Sequence, residues 1–119
     1  MTSRFTWCVI DCADPRRLAT FWQQALGWEE DESDEDSVAL RDPDQEWPKL
    51  LFQQVPEPKT VKNRLHLDVN PRGSSQEEEL ERLLSLGARR ADIGQGADVS
   101  WVVLVDPEGN EFCLLQTQH

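Results

Sequence analysis

The chain says much the same thing twice. Val38-Ala39-Leu40-Arg41-Asp42-Pro43-Asp44 returns as Val102-Val103-Leu104-Val105-Asp106-Pro107-Glu108. An apolar stretch follows each copy at one spacing, Leu50-Leu51-Phe52 in the first and Leu114-Leu115-Gln116 in the second. Leu26-Gly27 has its counterpart in Leu86-Gly87, and the apolar run at 7–11 stands where 65–70 stands later. A duplicated module builds its site from equivalent positions of both halves, so the repeat says where function should be sought. At 119 residues the chain has room for one small domain of two halves. These are module one at about 4–55, a hinge at 56–62 holding Pro56 and Pro58, and module two at about 63–117.

Each half reads as β-α-β-β-β, which makes the class α+β. Residues 5–11 form an apolar run suited to a buried strand. Asp14-Pro15 then marks a helix start, an N-cap followed by proline in the first turn. Leu18, Phe21, Trp22, Ala25 and Leu26 fall on one stripe, and Gly27 closes the helix in the left-handed conformation. Trp28 opens a short strand that runs into residues 29–37. Seven acids in those nine residues repel one another, which predicts a solvated loop. The spacing lacks the central glycine of an EF-hand, so a calcium loop is not expected. Strands are predicted at 38–41 and 49–55 around an Asp42-Pro43 turn. In the second half 63–69 predicts a strand, and Ser75 with Glu78 makes a capping box. Leu80, Leu83 and Leu84 form the stripe of a helix that ends at Gly87. Strands follow at 88–93, 100–105 and 111–115, the last two joined by a turn at 106–110. One helix covers one face of each sheet, and the two open faces could curve into a shared cup with the helices outside.

Charge and cysteine usage remove several functional classes. With 23 acids against 12 bases the net charge is −11, which repels phosphate backbones, so a nucleic-acid partner is not expected. Cys8, Cys12 and Cys113 are odd in number and lack a Cys-x-x-Cys pair, against a disulfide framework or structural zinc. No apolar run spans a bilayer, and Met1-Thr2-Ser3-Arg4 lacks a signal-peptide core. A cytoplasmic protein with no membrane partner is the expectation.

Strand alternation selects the side chains facing the cup. Leu65, Leu67 and Val69 are assigned to the helix side, which leaves Arg64, His66 and Asp68 facing the cup. The repeat sets Trp7 opposite His66, with Val9 and Asp11 on the same side. In the last strand Phe112 and Leu114 take the helix side and Cys113 and Leu115 the cup, while Glu111 is assigned to the helix side. The matching first-half strand offers Lys49, Leu51 and Gln53. Trp7, Arg64, His66, Asp68 and Cys113 are thus the candidate ligand-binding residues, apolar walls with convergent polar groups. His66 and Asp68 are the candidate catalytic pair, a general base and the carboxylate that orients it. The same spacing suits a histidine in a polar network in which Arg64 pairs Asp68, and with no second catalytic group evident that is the favoured reading. Trp47 and Trp101 could also line a pocket, with packing the favoured reading of each.

The repeat, the Asp106-Pro107-Glu108-Gly109-Asn110 turn with its apolar strand, and the Leu65-His66-Leu67-Asp68-Val69 strand together resemble the vicinal oxygen chelate superfamily. The glyoxalase-like domain subgroup is the nearest, related to glyoxalase, bleomycin resistance proteins and extradiol dioxygenases. That resemblance implies paired modules around a cup, with a divalent metal in the enzymes held by His, Glu or Gln at four equivalent strand positions. Here those positions would be Trp7, Lys49 or its neighbour Leu50, His66 and Cys113. Only His66 is a good ligand for such an ion, and two donors, His66 and Cys113, fall short of a catalytic zinc. No metal or other cofactor is therefore expected.

Three functions fit. The first is metal-independent binding of a small, partly apolar or aromatic molecule, with Trp7 as stacking wall. The second is a glyoxalase-related lyase or isomerase in which His66 moves a proton, with or without a divalent metal. The third is a closed scaffold acting through protein contacts. Many relatives dimerise, and the tryptophans would permit a homodimer.

Overall fold

A computed structural model describes residues 1–91 and 100–116. The chain divides into two compact units, Met1–Pro58 and Lys59–His119. Each is a βαβββ module with one helix and a mixed four-stranded sheet.

In the first unit, β1 (Trp7–Cys12) leads into α1 (Pro15–Leu26). The side chain of Asp14 accepts a hydrogen bond from the Arg17 N–H, and Gly27 ends the helix at φ 71°. That φ is the left-handed cap that glycine adopts without strain. Leu18, Phe21 and Trp22 are buried as α1 packs on two later strands, β3 (Ser37–Arg41) and β4 (Lys49–Gln54). Burying side chains of this size contributes about 1.5–3 kcal/mol each. The sheet order is β1-β4-β3-β2, with β1 and β4 parallel.

The acidic segment departs from expectation. Glu29–Ser33 is a strand, β2, paired antiparallel with β3. It tolerates its charges because it lies at the sheet edge and its acids find bases. Arg16 pairs Glu30 at 2.7 Å, Arg41 pairs Glu29 at 2.7 Å and Lys49 pairs Asp31 at 3.0 Å. A charged edge strand also resists pairing with other chains. Only residues 34–36 join β2 to β3.

The second unit repeats the topology with β5 (Leu67–Val69), α2 (Gln76–Leu86), β6 (Arg89–Arg90), β7 (Val102–Val105) and β8 (Glu111–Leu114) in the order β5-β8-β7-β6. Both halves of the capping box at Ser75 and Glu78 form, and Leu83 is the buried residue of α2. The strand expected at 88–93 is β6, and Asp92 and Ile93 lie outside the described residues. Within the 106–110 turn Asp106 is fully buried. Its carboxylate accepts from the backbone N–H groups of Glu108 and Asn110 and from the Asn110 side chain.

The strand expected at 63–69 is shorter than its pattern suggests. Leu65 is 88% exposed and does not pack on the helix side, and Arg64 lies in a bend ahead of β5. Side chains capture the backbone there before a ladder can. The Asn63 N–H donates to Glu111 Oε1 at 3.0 Å, and its side-chain amide donates to Asn110 Oδ1 at 3.0 Å.

Register also corrects the repeat. Val38 faces Phe52 across β3–β4, and its counterpart Val102 faces Leu114 across β7–β8. Phe52 therefore matches Leu114, Leu51 matches Cys113, and Lys49 matches Glu111. The turn in the first module is two residues longer, so equal spacing misaligned the last strands. Among the described residues, no helix is long and apolar enough to cross a membrane.

Candidate functional site

In the second unit the face opposite the buried Phe112 and Leu114 carries a cavity of about 350 Å³. Trp101, Val103 and Leu115 supply its apolar walls, and His66, Asp68, Glu111, Cys113 and Lys62 its polar groups. Asp68 and Cys113 are direct register partners across the parallel β5–β8 pair. His66 Nε2 lies 3.3 Å from Asp68 Oδ1. One ligating atom from each of His66, Asp68 and Cys113 lies within 4.8 Å of the others.

Burial pushes the Cys113 thiol above its ordinary range, and the charge and hydrogen bond of Asp68 push it the same way. A thiol held protonated is a poor nucleophile. The His66–Asp68 pair is half exposed on both sides. Solvent-screened pairs of that kind are worth about 1 kcal/mol or less, so this pair orients the imidazole more than it stabilises the fold.

Of the residues singled out from sequence, His66, Asp68 and Cys113 come together here. Arg64 is exposed and is not among the lining residues, and the Asp68 carboxylate is paired with His66. Glu111 corrects the strand assignment. It is two residues from Cys113, shares its face and borders the cavity. Simple alternation along 111–115 places it there. Burial opposes its ionisation, but the Asn63 N–H and Lys59 ammonium outweigh that and hold its carboxyl below the usual range. Trp101, for which packing is the favoured reading from sequence, lines the cavity as one of its walls.

Trp7 belongs to the first unit. It is 39% exposed on β1, beside Val9 and Asp11, and its indole meets Trp47 edge-on at 6.4 Å. The Lys49 ammonium lies 5.4 Å from the Trp7 ring centre and 4.9 Å from that of Trp47.

A glyoxalase-like domain model matches residues 7–115. The chain belongs to that family, and with it to the vicinal oxygen chelate superfamily. No curated protein matches it. Among solved structures, this glyoxalase-like domain is similar to a glyoxalase/bleomycin resistance protein/dioxygenase family enzyme from Burkholderia phytofirmans PsJN. The identity is 20% over 94% of this chain and 97% of that one, with a TM-score of 0.69. The fosfomycin resistance protein FosX from Listeria monocytogenes, solved with manganese(II) and dihydroxypropylphosphonic acid, is 15% identical over 99% and 95%, TM-score 0.77. A bleomycin-binding protein from Streptomyces verticillus, solved with copper(II)-bleomycin, is 17% identical over 99% and 100%, TM-score 0.62.

The four-cornered metal arrangement of the superfamily does not fit this glyoxalase-like domain. Its first-module corners are Trp7 and, by register, Leu51, and neither side chain is a donor for a divalent ion. The nearby Lys49 ammonium adds a cation where an ion would need anions.

Proposed function

We propose that this glyoxalase-like domain binds a small, partly apolar or aromatic molecule on the open face of its second module, without a four-ligand metal centre. The cavity beside Trp101 carries the reading. Its volume of about 350 Å³ falls at the lower end of the range of ligand pockets. Trp101, Val103 and Leu115 offer an apolar surface, and His66 and Asp68 offer a donor and an acceptor at its edge. The fold hosts both modes of action among its neighbours, since one was solved with copper(II)-bleomycin and another with manganese(II) and a phosphonic acid. Fold-level likeness favours neither mode.

A second reading, a lyase or isomerase, is favoured by one observation, the 3.3 Å approach of His66 Nε2 to Asp68 Oδ1. A carboxylate at that distance can orient an imidazole that takes a proton next to a carbonyl.

Tryptophan fluorescence, titrated with a panel of aromatic metabolites and drugs in the presence of a chelator, separates these readings. Binding predicts a saturable change that is lost in Trp101→Phe and survives in His66→Gln. Turnover of any panel member that vanishes in His66→Gln would favour the enzyme.

A further inference from the structure

We propose that the molecule bound in this cavity is a small aromatic acid, its carboxylate held by the Lys62 ammonium and its ring laid against Trp101. The inference rests on the reading that the cavity takes a small, partly aromatic molecule, and it adds the charge that molecule carries. Behind it stands one juxtaposition, a cation without a counter-charge beside an apolar wall.

The pairing of charges around the cavity carries the inference. Apart from the Cys113 thiol, the lining groups that can carry charge are Lys62, His66, Asp68 and Glu111. Both Glu111 oxygens are engaged, since Oε2 accepts from the Lys59 ammonium at 3.1 Å and Oε1 from the Asn63 N–H at 3.0 Å. The Asp68 carboxylate faces His66 Nε2 at 3.3 Å. Lys62 is different. Among the described residues its ammonium has no carboxylate partner, and it donates to the Asn63 carbonyl at 3.3 Å. A neutral carbonyl leaves the charge uncompensated, and an ammonium has further donors to offer an anion. Its field also reaches inward. Burial and Asp68 raise the Cys113 thiol pKa, and the Lys62 charge pulls against them.

The fold keeps that cation at the cavity. On one side of Lys62 the Lys59 ammonium is tied to Glu111, and on the other the Asn63 amides are tied to Glu111 and Asn110. The backbone is therefore ordered before a ligand arrives, which lowers the cost of binding. Residues 59–64 hold three bases and no acid, in a chain of net charge −11. The distant acids oppose an anion only weakly, because exposed charges more than about 8–10 Å apart are screened at ordinary ionic strength. One ammonium, with no guanidinium among the lining residues, suits a singly charged carboxylate. A phosphate or phosphonate dianion is better met by the forked donors of arginine. A cavity of about 350 Å³ keeps the acid small.

The test is a nitrogen-15 chemical-shift titration of the full chain at neutral pH with benzoate and 2-naphthoate, each against its primary amide, and with phenylphosphonate. Each amide matches its acid in shape and lacks the charge. The acids are expected to bind roughly fivefold to tenfold tighter than the amides. That preference should vanish in Lys62→Gln, a change at an exposed position that leaves the core intact. Arg89→Gln, which removes an equal charge from the same module outside the cavity, should keep it. Amides that bind the wild type as tightly as the acids would overturn the proposal. So would a preference that survives Lys62→Gln or is lost in Arg89→Gln, or phenylphosphonate binding tighter than benzoate. Amide binding at this cavity that is lost in Trp101→Phe sustains the binding reading however the acids behave. If neither acid nor amide binds, both readings fall.

Discussion

Trp7 and Lys49 are register partners across the parallel β1–β4 pair, and the lysine ammonium lies 5.4 Å from the indole centre. Trp47 faces the same ammonium at 4.9 Å, and Asp31 pairs it at 3.0 Å. The first module thus places a cation of its own between Trp7 and Trp47. The Lys49 and Asp31 side chains are mostly buried, so this pair outweighs the exposed pairs of the same sheet. Lys49→Met keeps the aliphatic stem but strands Asp31 and removes both ring contacts. A loss of about 1–2 kcal/mol is expected in urea unfolding. Asp31→Asn, which keeps the ring contacts, should cost less. Equal losses would show that the indoles contribute nothing.

The two Asp-Pro turns look alike in sequence and differ in burial. Asp106 is fully buried and anchors two backbone N–H groups and the Asn110 amide, whereas Asp42 accepts from the Asp44 N–H at 2.8 Å nearer the surface. Asp106→Ala leaves several donors without partners and is expected to cost about 2–4 kcal/mol. Asp42→Ala should cost about 1 kcal/mol or less. Thermal unfolding of the two variants side by side measures the contrast, and similar losses would contradict it.

Cys113 offers a titration that isolates its neighbour. Burial is the largest cause of its raised thiol pKa, followed by the charge and hydrogen bond of Asp68. Asp68→Asn removes the charge and leaves the burial. The pH of half-maximal alkylation at Cys113, followed by mass spectrometry, should move down while staying above that of a free thiol. An unchanged profile would show that Asp68 does not act on the sulfur.

The edge strand β2 should give the fold a salt-sensitive acid response. Glu30 is held down to about 2, chiefly by the Arg16 hydrogen bond and then by Ser33. A depressed carboxyl contributes stability above its unfolded pKa, and that contribution fades as pH falls from the ordinary carboxylate range towards about 2. Wild type and Glu30→Gln should therefore differ in melting temperature at neutral pH and converge near pH 2, with the gap shrinking in high salt. A gap that widened on acidification would reverse the sign and refute the pairing.

Local signals in the chain carried far. Asp14, Pro15 and Gly27 bound α1 as their chemistry requires, and the Ser75–Glu78 box opens α2. Alternation along β8 identified the inward Phe112 and Leu114 and the outward Cys113. What the pattern hid depends on partners distant in sequence. The acids of β2 read as loop because Arg16, Arg41 and Lys49, which neutralise them, come from other elements. Leu65 read as core because nothing local shows that Glu111 and Asn110 take the Asn63 amides. Equal spacing paired Cys113 with Lys49 or Leu50, since only the ladder reveals that one turn is two residues longer.

Nitrogen-15 chemical-shift mapping of the full chain against a fragment library of small aromatic molecules, run in chelator, is the most direct test that the second module holds a ligand. Shifts should cluster on Asp68, Trp101, Val103, Cys113 and Leu115, saturate with concentration and disappear in Trp101→Phe. A library without a hit, or hits confined to residues away from that cavity, would contradict the account.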